Sequence, residues 1–155
     1  MSAIIKIDRR AHLIVDDDVY RWAKDIKWQV HGTHKYARMI TKGKVYYLHR
    51  MVMSAVNGEY IDHINRNTWD NRRCNLRFTD VRHNIANAPK RKGRNPYKGV
   101  YQKRGKKWTA QLAANRKSIF LGMFDTPEEA ALVYNKAAKK EYGEFAYLNV
   151  IPQKP

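Results

Sequence analysis

With 155 residues and 31 Lys and Arg against 14 Asp and Glu, the chain carries a formal charge of +17 and is long enough for one domain or two small ones. No run of 18 apolar residues is present to span a bilayer, and Lys6, Asp8, Arg9 and Arg10 break up the apolar stretch at the start. A soluble chain with neither membrane span nor secretory leader is expected. Cys74 is the only cysteine, which excludes an intramolecular disulfide and a zinc site built on cysteine pairs. It fits a reducing cytoplasm and reads as a small buried residue.

The charge excess is spread along the chain. Residues 1–87 hold 16 Lys and Arg against 9 Asp and Glu, and residues 88–155 hold 15 against 5. A polyanion is therefore the expected partner, and nucleic acid the favoured one. An acidic membrane surface is the competitor, but no long amphipathic basic helix with an aromatic face is visible. If about 6 to 10 phosphates are neutralised, affinity should fall by about 10³ to 10⁵ between 50 and 200 mM salt.

In chain order, Ala3 to Ile7 and Leu13 to Val15 read as short strands. Asp16-Asp17-Asp18 supplies an N-cap and a favourable first-turn charge for a helix through Val19-Tyr20-Arg21-Trp22-Ala23. Trp28 to His31, Tyr36 to Ile40 and Lys44 to Leu48 are further strands, separated by Gly32 and Gly43. Apolar residues at 48, 51, 52, 55 and 56 predict a helix over Leu48 to Val56, stopped by Asn57-Gly58. A strand then ends in Asp62-His63, a polar loop runs from Asn65 to Arg73, and a return strand lies around Leu76 to Phe78. Thr79 can cap a helix from Asp80 to about Ala88. The unit is ββα. Because strand side chains alternate, Asp62 and His63 can face one site only if the chain distorts, and the loop entry at Ile64-Asn65 is where it can do so.

Within this unit a carboxylate, an imidazole and two amides fall in a segment rich in arginine. Asp62 and Asn84 can each offer a hard oxygen to a divalent cation, and His63 has the side chain suited in pKa to take a proton from water. These groups suffice to cut a phosphodiester with one bound metal ion. His12, His31 and His34 have no carboxylate or cysteine spacing around them and read as surface or core histidines.

Leu48-His49-Arg50, Asp62-His63, Asp70-Asn71, Asn75-Leu76-Arg77 and Asn84, in this order and spacing, resemble the HNH family of nucleases over roughly Tyr47 to Asn87. The resemblance implies a ββα-metal module in which Asp62 and Asn84 ligate the metal, His63 is the general base, and Asn75 pins the two sides of the loop. Whether Asn84 or the adjacent His83 completes the metal site stays open. Oxygen ligands favour Mg²⁺ or Mn²⁺ over Zn²⁺. Arg50, Arg72, Arg73 and Arg77 are candidate phosphate clamps. The implied products are a 5′-phosphate and a 3′-hydroxyl, with nicking as the default for one such site.

Ala88-Pro89-Lys90-Arg91-Lys92-Gly93-Arg94-Asn95-Pro96 has two prolines and no apolar periodicity, so 89–96 reads as a basic linker, able to lie along a phosphate backbone or to act as a solvated tether. Beyond it, Thr126-Pro127-Glu128-Glu129 is a capping box with proline at the first helical position, and a helix runs to about Tyr142 with Gly143 as its stop. Strands are expected at Lys98 to Gln102, Lys107 to Ala113 and Ser118 to Met123. In the middle strand Trp108, Ala110 and Leu112 should pack on the helix, leaving Lys107, Thr109 and Gln111 free to meet a groove.

Tyr97-Lys98-Gly99-Val100, Trp108-Thr109-Ala110, Phe120-Leu121-Gly122-Met123-Phe124 and Glu128-Glu129-Ala130-Ala131 resemble the ethylene-response-factor DNA-binding domain over Tyr97 to Asn149. In that family a three-stranded sheet lies in the major groove, which implies reading positions at Lys98, Tyr101, Lys103, Gln111, Ser118 and Phe120. Gly105 and Ala113 replace a tryptophan and an arginine of the plant pattern, so its G·C-rich target is not carried over.

The expected architecture is α+β: a nuclease domain over 1–88 (lead-in 1–46, ββα core 47–88), the linker 89–96, and a three-stranded antiparallel sheet with one helix over 97–150. The expected function is site-selective, metal-dependent cleavage of double-stranded DNA in the cytoplasm of a bacterial host, with no protein partner implied. The alternative is a non-catalytic, sequence-specific DNA-binding regulator carrying a relic nuclease module. A basic RNA-binding protein would fit the charge but leave Asp62, His63 and Asn84 without a role.

Overall fold

In a computed structural model of the chain, which describes residues 1–8, 11–32, 35–90, 95–102 and 107–152, the two apolar runs at the amino end pair with each other. Strands β1 (Ser2–Lys6) and β2 (His12–Asp16) form an antiparallel ladder with Ser2 opposite Asp16 and Lys6 opposite His12. Alternation along β2 turns Leu13 and Val15 into the core, where they meet Val19 and Ala23 of α1 (Asp17–Ala23). Asp17 and Asp18 lie in the first turn of α1, where negative charge is favoured. Asp16 holds the N-cap position without a side-chain capping bond, because its carboxylate accepts from Arg73 instead.

A second sheet follows in the order β3-β4-β5, built from Gln29–His31, Tyr36–Thr41 and Lys44–Tyr47. Helix α2 (Leu48–Val52) is shorter than the apolar spacing predicts. Arg50 sends its guanidinium to the carbonyls of Val56 and Glu59, at 2.7 and 2.6 Å, and Ser54 takes a φ of +52°. The chain therefore curls back after one turn, and Val56 ends up exposed. Strands β6 (Tyr60–His63) and β7 (Leu76–Thr79) form the next hairpin, with the 3-10 turn Arg73–Asn75 leading into β7. Ile61 and Leu76 from this hairpin join Leu48, Val52, Ala37 and Trp28 in the same core.

The chain divides into two compact units, Met1–Asp80 and Val81–Pro155. The division falls ahead of helix α3 (Val81–Asn87), because α3 is anchored in the second unit. Ala86 is buried with Leu112, Tyr134 and Tyr142, Arg82 pairs with Glu141, and the Lys98 ammonium donates to the carbonyls of Ile85, Ala86 and Ala88 at 3.1, 2.7 and 2.7 Å. A lysine on the last carbonyls of a helix satisfies acceptors that have no partner within it. The Thr79 hydroxyl, expected to cap this helix, donates to the Asp80 carbonyl.

The rest of the second unit is the sheet β10-β9-β8, from Lys117–Phe124, Trp108–Ala114 and Val100–Gln102, packed on α4 (Pro127–Tyr142). Both bonds of the Thr126–Glu129 capping box are made. Ala110 and Leu112 face α4 as expected, with Trp108 half-buried against the same core. Gly99 has a φ of +73°, and a Cβ there would stand 2.1 Å from the Tyr134 ring and 2.6 Å from the Gln111 carbonyl, so only glycine fits. Asn149 and Asn135 exchange side-chain to backbone bonds of 2.7 and 2.9 Å, tying the carboxyl-terminal segment to α4. Residues 91–94 of the basic segment lie outside the described residues; beyond them Asn95 is tied to Val100 and Tyr97. The architecture is α+β, and among the described residues no helix is long and apolar enough to cross a membrane.

Candidate active site

Hairpin β6–β7 places Asp62 opposite Arg77 and His63 opposite Leu76 in a regular register. The register is regular through His63, and the chain leaves it at the expected loop entry, Ile64-Asn65. His63 is the last residue of β6, and just beyond it Arg66, at a φ of +63°, donates its backbone N–H to the His63 carbonyl at 2.9 Å.

Amides build the loop between the strands. Asn75 Oδ1 accepts from the Asn65 backbone at 3.0 Å and its Nδ2 donates to the Asp70 carbonyl at 2.8 Å, so one side chain spans the loop. Asn65 and Asn67 accept from the backbone two residues on, as asparagine does in Asx turns. Asp70 is buried, and Arg72 grips it through two bonds of 2.8 and 2.7 Å. That guanidinium holds the Asp70 carboxyl below the usual range. The loop is also sewn to β2 at its centre, with Ile14 accepting from Asn71 and donating to Trp69, both at 2.8 Å.

His63 is 4% exposed and is enclosed by groups from three segments. Asn71 Oδ1 lies 3.4 Å from its Nε2, the Tyr36 ring of β4 stacks at 6.0 Å, and the His49 ring of α2 meets it edge-on at 5.4 Å. Burial lowers the His63 pKa, while Asn71 and the charges of Asp62 and Asp70 act in the opposite direction. His49, 8% exposed, is pushed down to about 3 by burial first, then by His63 and Arg50. Burial and the Asp62 charge raise the Tyr36 hydroxyl. His49, Asp70 and Asn71 belong to the HNH-like residue set but have no role from sequence alone, and Tyr36 reads there only as a strand residue. Nothing in the order of the chain brings Tyr36, His49 and His63 together; the packing of β4, α2 and β6 does.

The four arginines expected on phosphate have protein partners. Arg77 donates to Asp62 Oδ2 at 3.1 and 2.9 Å, Arg72 holds Asp70, Arg73 bridges Asp16 and Asp18, and Arg50 holds the carbonyls after α2. Cys74, expected to be buried, is exposed. Asn84 and His83 lie on α3 in the second unit, where the His83 ring rests on Phe145 at 4.5 Å. Among the described residues no cluster of three or more His, Cys, Asp or Glu is arranged to hold a metal ion. Asp62 carries a buried carboxylate in the first unit and Asn84 an exposed amide in the second, each a hard oxygen donor by chemistry.

On the second unit, register places Tyr101, Gln111, Ser118 and Phe120 on the sheet face away from α4. Phe120 is well exposed, Gln111 is half-buried, and Thr109, expected on the free face, is buried. Lys98 points to the end of α3, and Lys107 forms an exposed pair with Asp125 at 3.1 Å. Lys103 and His34 lie outside the described residues. A groove of about 410 Å³ runs between α3 and this face, lined among others by Ile85, Tyr101, Gln111 and Ser118.

Such a chain, an α+β fold with a hairpin histidine site in one unit and a helix-backed sheet in the other, matches no family model and no solved structure. Individual proteins are similar to it. An uncharacterized HNH endonuclease of Acanthamoeba polyphaga mimivirus is 29% identical over 131 residues, covering 81% of this chain and 67% of that protein. Dehydration-responsive element-binding protein 2D of Arabidopsis thaliana is 46% identical over 56 residues, 35% of this chain and 27% of that protein. An ethylene-responsive transcription factor of the same plant is 46% identical over 61 residues, 37% of this chain and 33% of that protein. The chain thus spans a third or less of these plant relatives. The two kinds of similarity coincide with the two resemblances carried by the sequence. The viral match covers more of the chain than either unit holds, so it runs across both.

Proposed function

We propose that the chain is a site-selective, metal-dependent endonuclease of double-stranded DNA, with the nuclease machinery on the β6–β7 hairpin and site selection by the sheet of the second unit. The observation that carries the reading is the similarity to an HNH endonuclease across both units, joined to a buried histidine on a rigid, amide-braced hairpin. Localisation follows the substrate, and a bacterial host infected by a phage remains our reading of the setting.

His63 takes a proton from the attacking water as general base, and its low pKa keeps the imidazole neutral near pH 7. Asp62 and Asn84 would hold one Mg²⁺ or Mn²⁺, and Arg77 orients the Asp62 carboxylate. The ion, when bound, supplies Lewis-acid stabilisation of the leaving 3′-oxygen and of the charge on phosphorus. Asn75 keeps the two loop ends in register so that His63 and Asp62 hold their spacing. Arg72 and Arg73, both more exposed than Arg77, are the leading candidates for phosphate contact beside their carboxylate partners. Tyr101, Gln111, Ser118 and Phe120 are the proposed base-reading residues, with Lys103 and Lys107 on phosphate. Cleavage leaves a 5′-phosphate and a 3′-hydroxyl, and one site cuts one strand per engagement.

The plant transcription-factor relatives favour the second reading, a DNA-binding protein that does not cut. Conversion of supercoiled plasmid to the nicked form, dependent on Mg²⁺, abolished by EDTA and lowered about 10² to 10⁴-fold by His63→Ala with DNA binding retained, is the expected result. Binding without nicking across Mg²⁺, Mn²⁺ and several DNA substrates would favour the second reading.

A further inference from the structure

The outer face of the second-unit sheet is set row by row by strand register. Ala110 and Leu112 turn to α4, so their neighbours Thr109, Gln111 and Ala113 turn away from it. Across the ladders Thr109 stands between Tyr101 and Met123, Gln111 opposite Phe120, and Ala113 opposite Ser118. The bulge between Phe120 and Gly122 shifts the register by one residue, which brings Met123 to this face. Phe120 and Met123 are 62% and 61% exposed, and Ala113 is exposed beside them. Among the described residues of the three strands, no Arg or Lys stands on this face. Lys98, just ahead of β8, gives its ammonium to three α3 carbonyls, Lys107 pairs with Asp125, and Lys117 lies opposite Ala114 on the α4 side.

In the major groove guanine presents two acceptors, O6 and N7, and is read by the donors of arginine or lysine. Adenine presents a donor beside an acceptor, N6 and N7, and is read by an amide, while thymine adds a methyl group that apolar side chains cover. The face holds the second and third kinds of reader without the first. Gln111 carries the amide, and Phe120, Met123 and Ala113 carry the apolar surface. Gln111 and Phe120 are direct cross-strand partners, with Cβ atoms about 4.5 to 5.5 Å apart, so they reach one base pair and its neighbour. Attraction for phosphate comes from cations off this face, in a segment, 88–155, with 15 Lys and Arg against 5 Asp and Glu.

We infer that the sheet selects A·T pairs, with Gln111 on adenine N6 and N7 and with Phe120, Met123 and Ala113 against thymine methyl groups. This rests on the reading of the sheet as the site selector and extends it by naming the class of target. An apolar face gains from each methyl it covers, whereas the same face on G·C pairs would leave O6 and N7 without a donor.

The test selects bound duplexes from a randomised pool with the full chain in EDTA, so that cleavage does not deplete the pool, followed by sequencing and gel shifts of the selected site. We expect A·T pairs at the positions whose preference changes in Gln111→Arg or Phe120→Ser. Gln111→Arg should take guanine there and lose about 5 to 100-fold in affinity for the wild-type site. Uracil in place of thymine removes only the methyl groups, and should weaken wild-type binding about 3 to 5-fold per contacted methyl and Phe120→Ser binding by less. G·C pairs selected at those positions, or equal affinity for thymine and uracil duplexes, overturns the inference while leaving the sheet as the selector. A pool without a shared sequence overturns both. If Gln111→Arg does not fold, the exposed substitution Phe120→Ser marks the positions, and the uracil duplexes decide with it. Selection of A·T sites by a chain that never nicks DNA with Mg²⁺ supports the inference and sinks the endonuclease reading.

Discussion

Arg77 directs both Nε and Nη2 onto a single oxygen of Asp62, at 3.1 and 2.9 Å, across the β6–β7 ladder. Asp62 is 7% exposed, so this is a buried ion pair in which the guanidinium compensates a carboxylate that water scarcely reaches. Removing one partner of such a pair leaves an uncompensated buried charge, which costs about 3 to 5 kcal/mol. Arg77→Met should therefore lower urea stability by that order at pH 7, and the double variant Arg77→Met, Asp62→Leu should recover much of the loss. An Arg77→Met protein as stable as the wild type would mean that the pair does not hold the hairpin.

His49 makes the first unit acid-sensitive. In the unfolded chain its imidazole protonates near the ordinary value of 6.5, whereas in the folded chain it resists protonation down to about 3. The unfolded state thus binds the extra proton between those values. Stability is full above pH 6.5 and declines as pH falls toward 3, by about 1.4 kcal/mol per pH unit for one such group. Burial moves His63 in the same direction. The unfolding free energy from urea titrations should be about 2 kcal/mol lower at pH 5.0 than at pH 7.5 in the wild type, with a smaller difference in His49→Phe. Equal losses in the two proteins would remove His49 as the cause.

Local signals in the sequence carried the fold further than they carried the site. The Thr126–Glu129 capping box, the alternation through Trp108, Ala110 and Leu112, and the apolar runs of β1 and β2 act within a few residues, and each forms where expected. The length of α2 depends on Arg50 reaching carbonyls six to nine residues ahead, and the anchoring of α3 depends on Lys98, which lies beyond the helix in sequence. Such contacts leave no periodic trace. The ring enclosure of His63 has the same character, because Tyr36, His49 and Asn71 come from separate segments. Charge counting also marks arginines without saying which carboxylates claim them. Asp16 and Asp18 take Arg73 from across the first unit.

Gly99 is a position in the second unit that tolerates no side chain. Alanine there would need a backbone at φ +73° and would place its Cβ 2.6 Å from the carbonyl of Gln111, a residue paired with Phe120 in the β9–β10 ladder and donating its own N–H to the Gly99 carbonyl at 2.8 Å. Tyr134 would have to leave the core as well. Gly99→Ala should cost more than about 2 kcal/mol, seen as a lower thermal midpoint. Sequence-selective binding in a gel shift should weaken with it. Retention of both would show that the sheet and α4 can separate without loss.

His83 and Asn84 are adjacent, but only one of them has its ring in the fold. His83 rests on Phe145 at 4.5 Å and faces the Tyr142 ring at 6.3 Å, and an imidazole used in packing is a poor second ligand for a hard cation. Asn84 offers an amide oxygen from the exposed side of α3, which suits Mg²⁺. Asn84→Ala should therefore raise the Mg²⁺ concentration needed for nicking or abolish nicking, while leaving the thermal midpoint nearly unchanged. His83→Ala should do the reverse, lowering the midpoint by about 1 kcal/mol equivalent through lost ring contact and keeping the Mg²⁺ dependence. Asn84→Asp, which retains the oxygen and adds charge, should restore nicking. Mg²⁺ titrations of plasmid nicking alongside melts of the same preparations measure both effects. A His83→Ala protein that folds like the wild type but needs far more Mg²⁺ would assign the ligand to His83 instead.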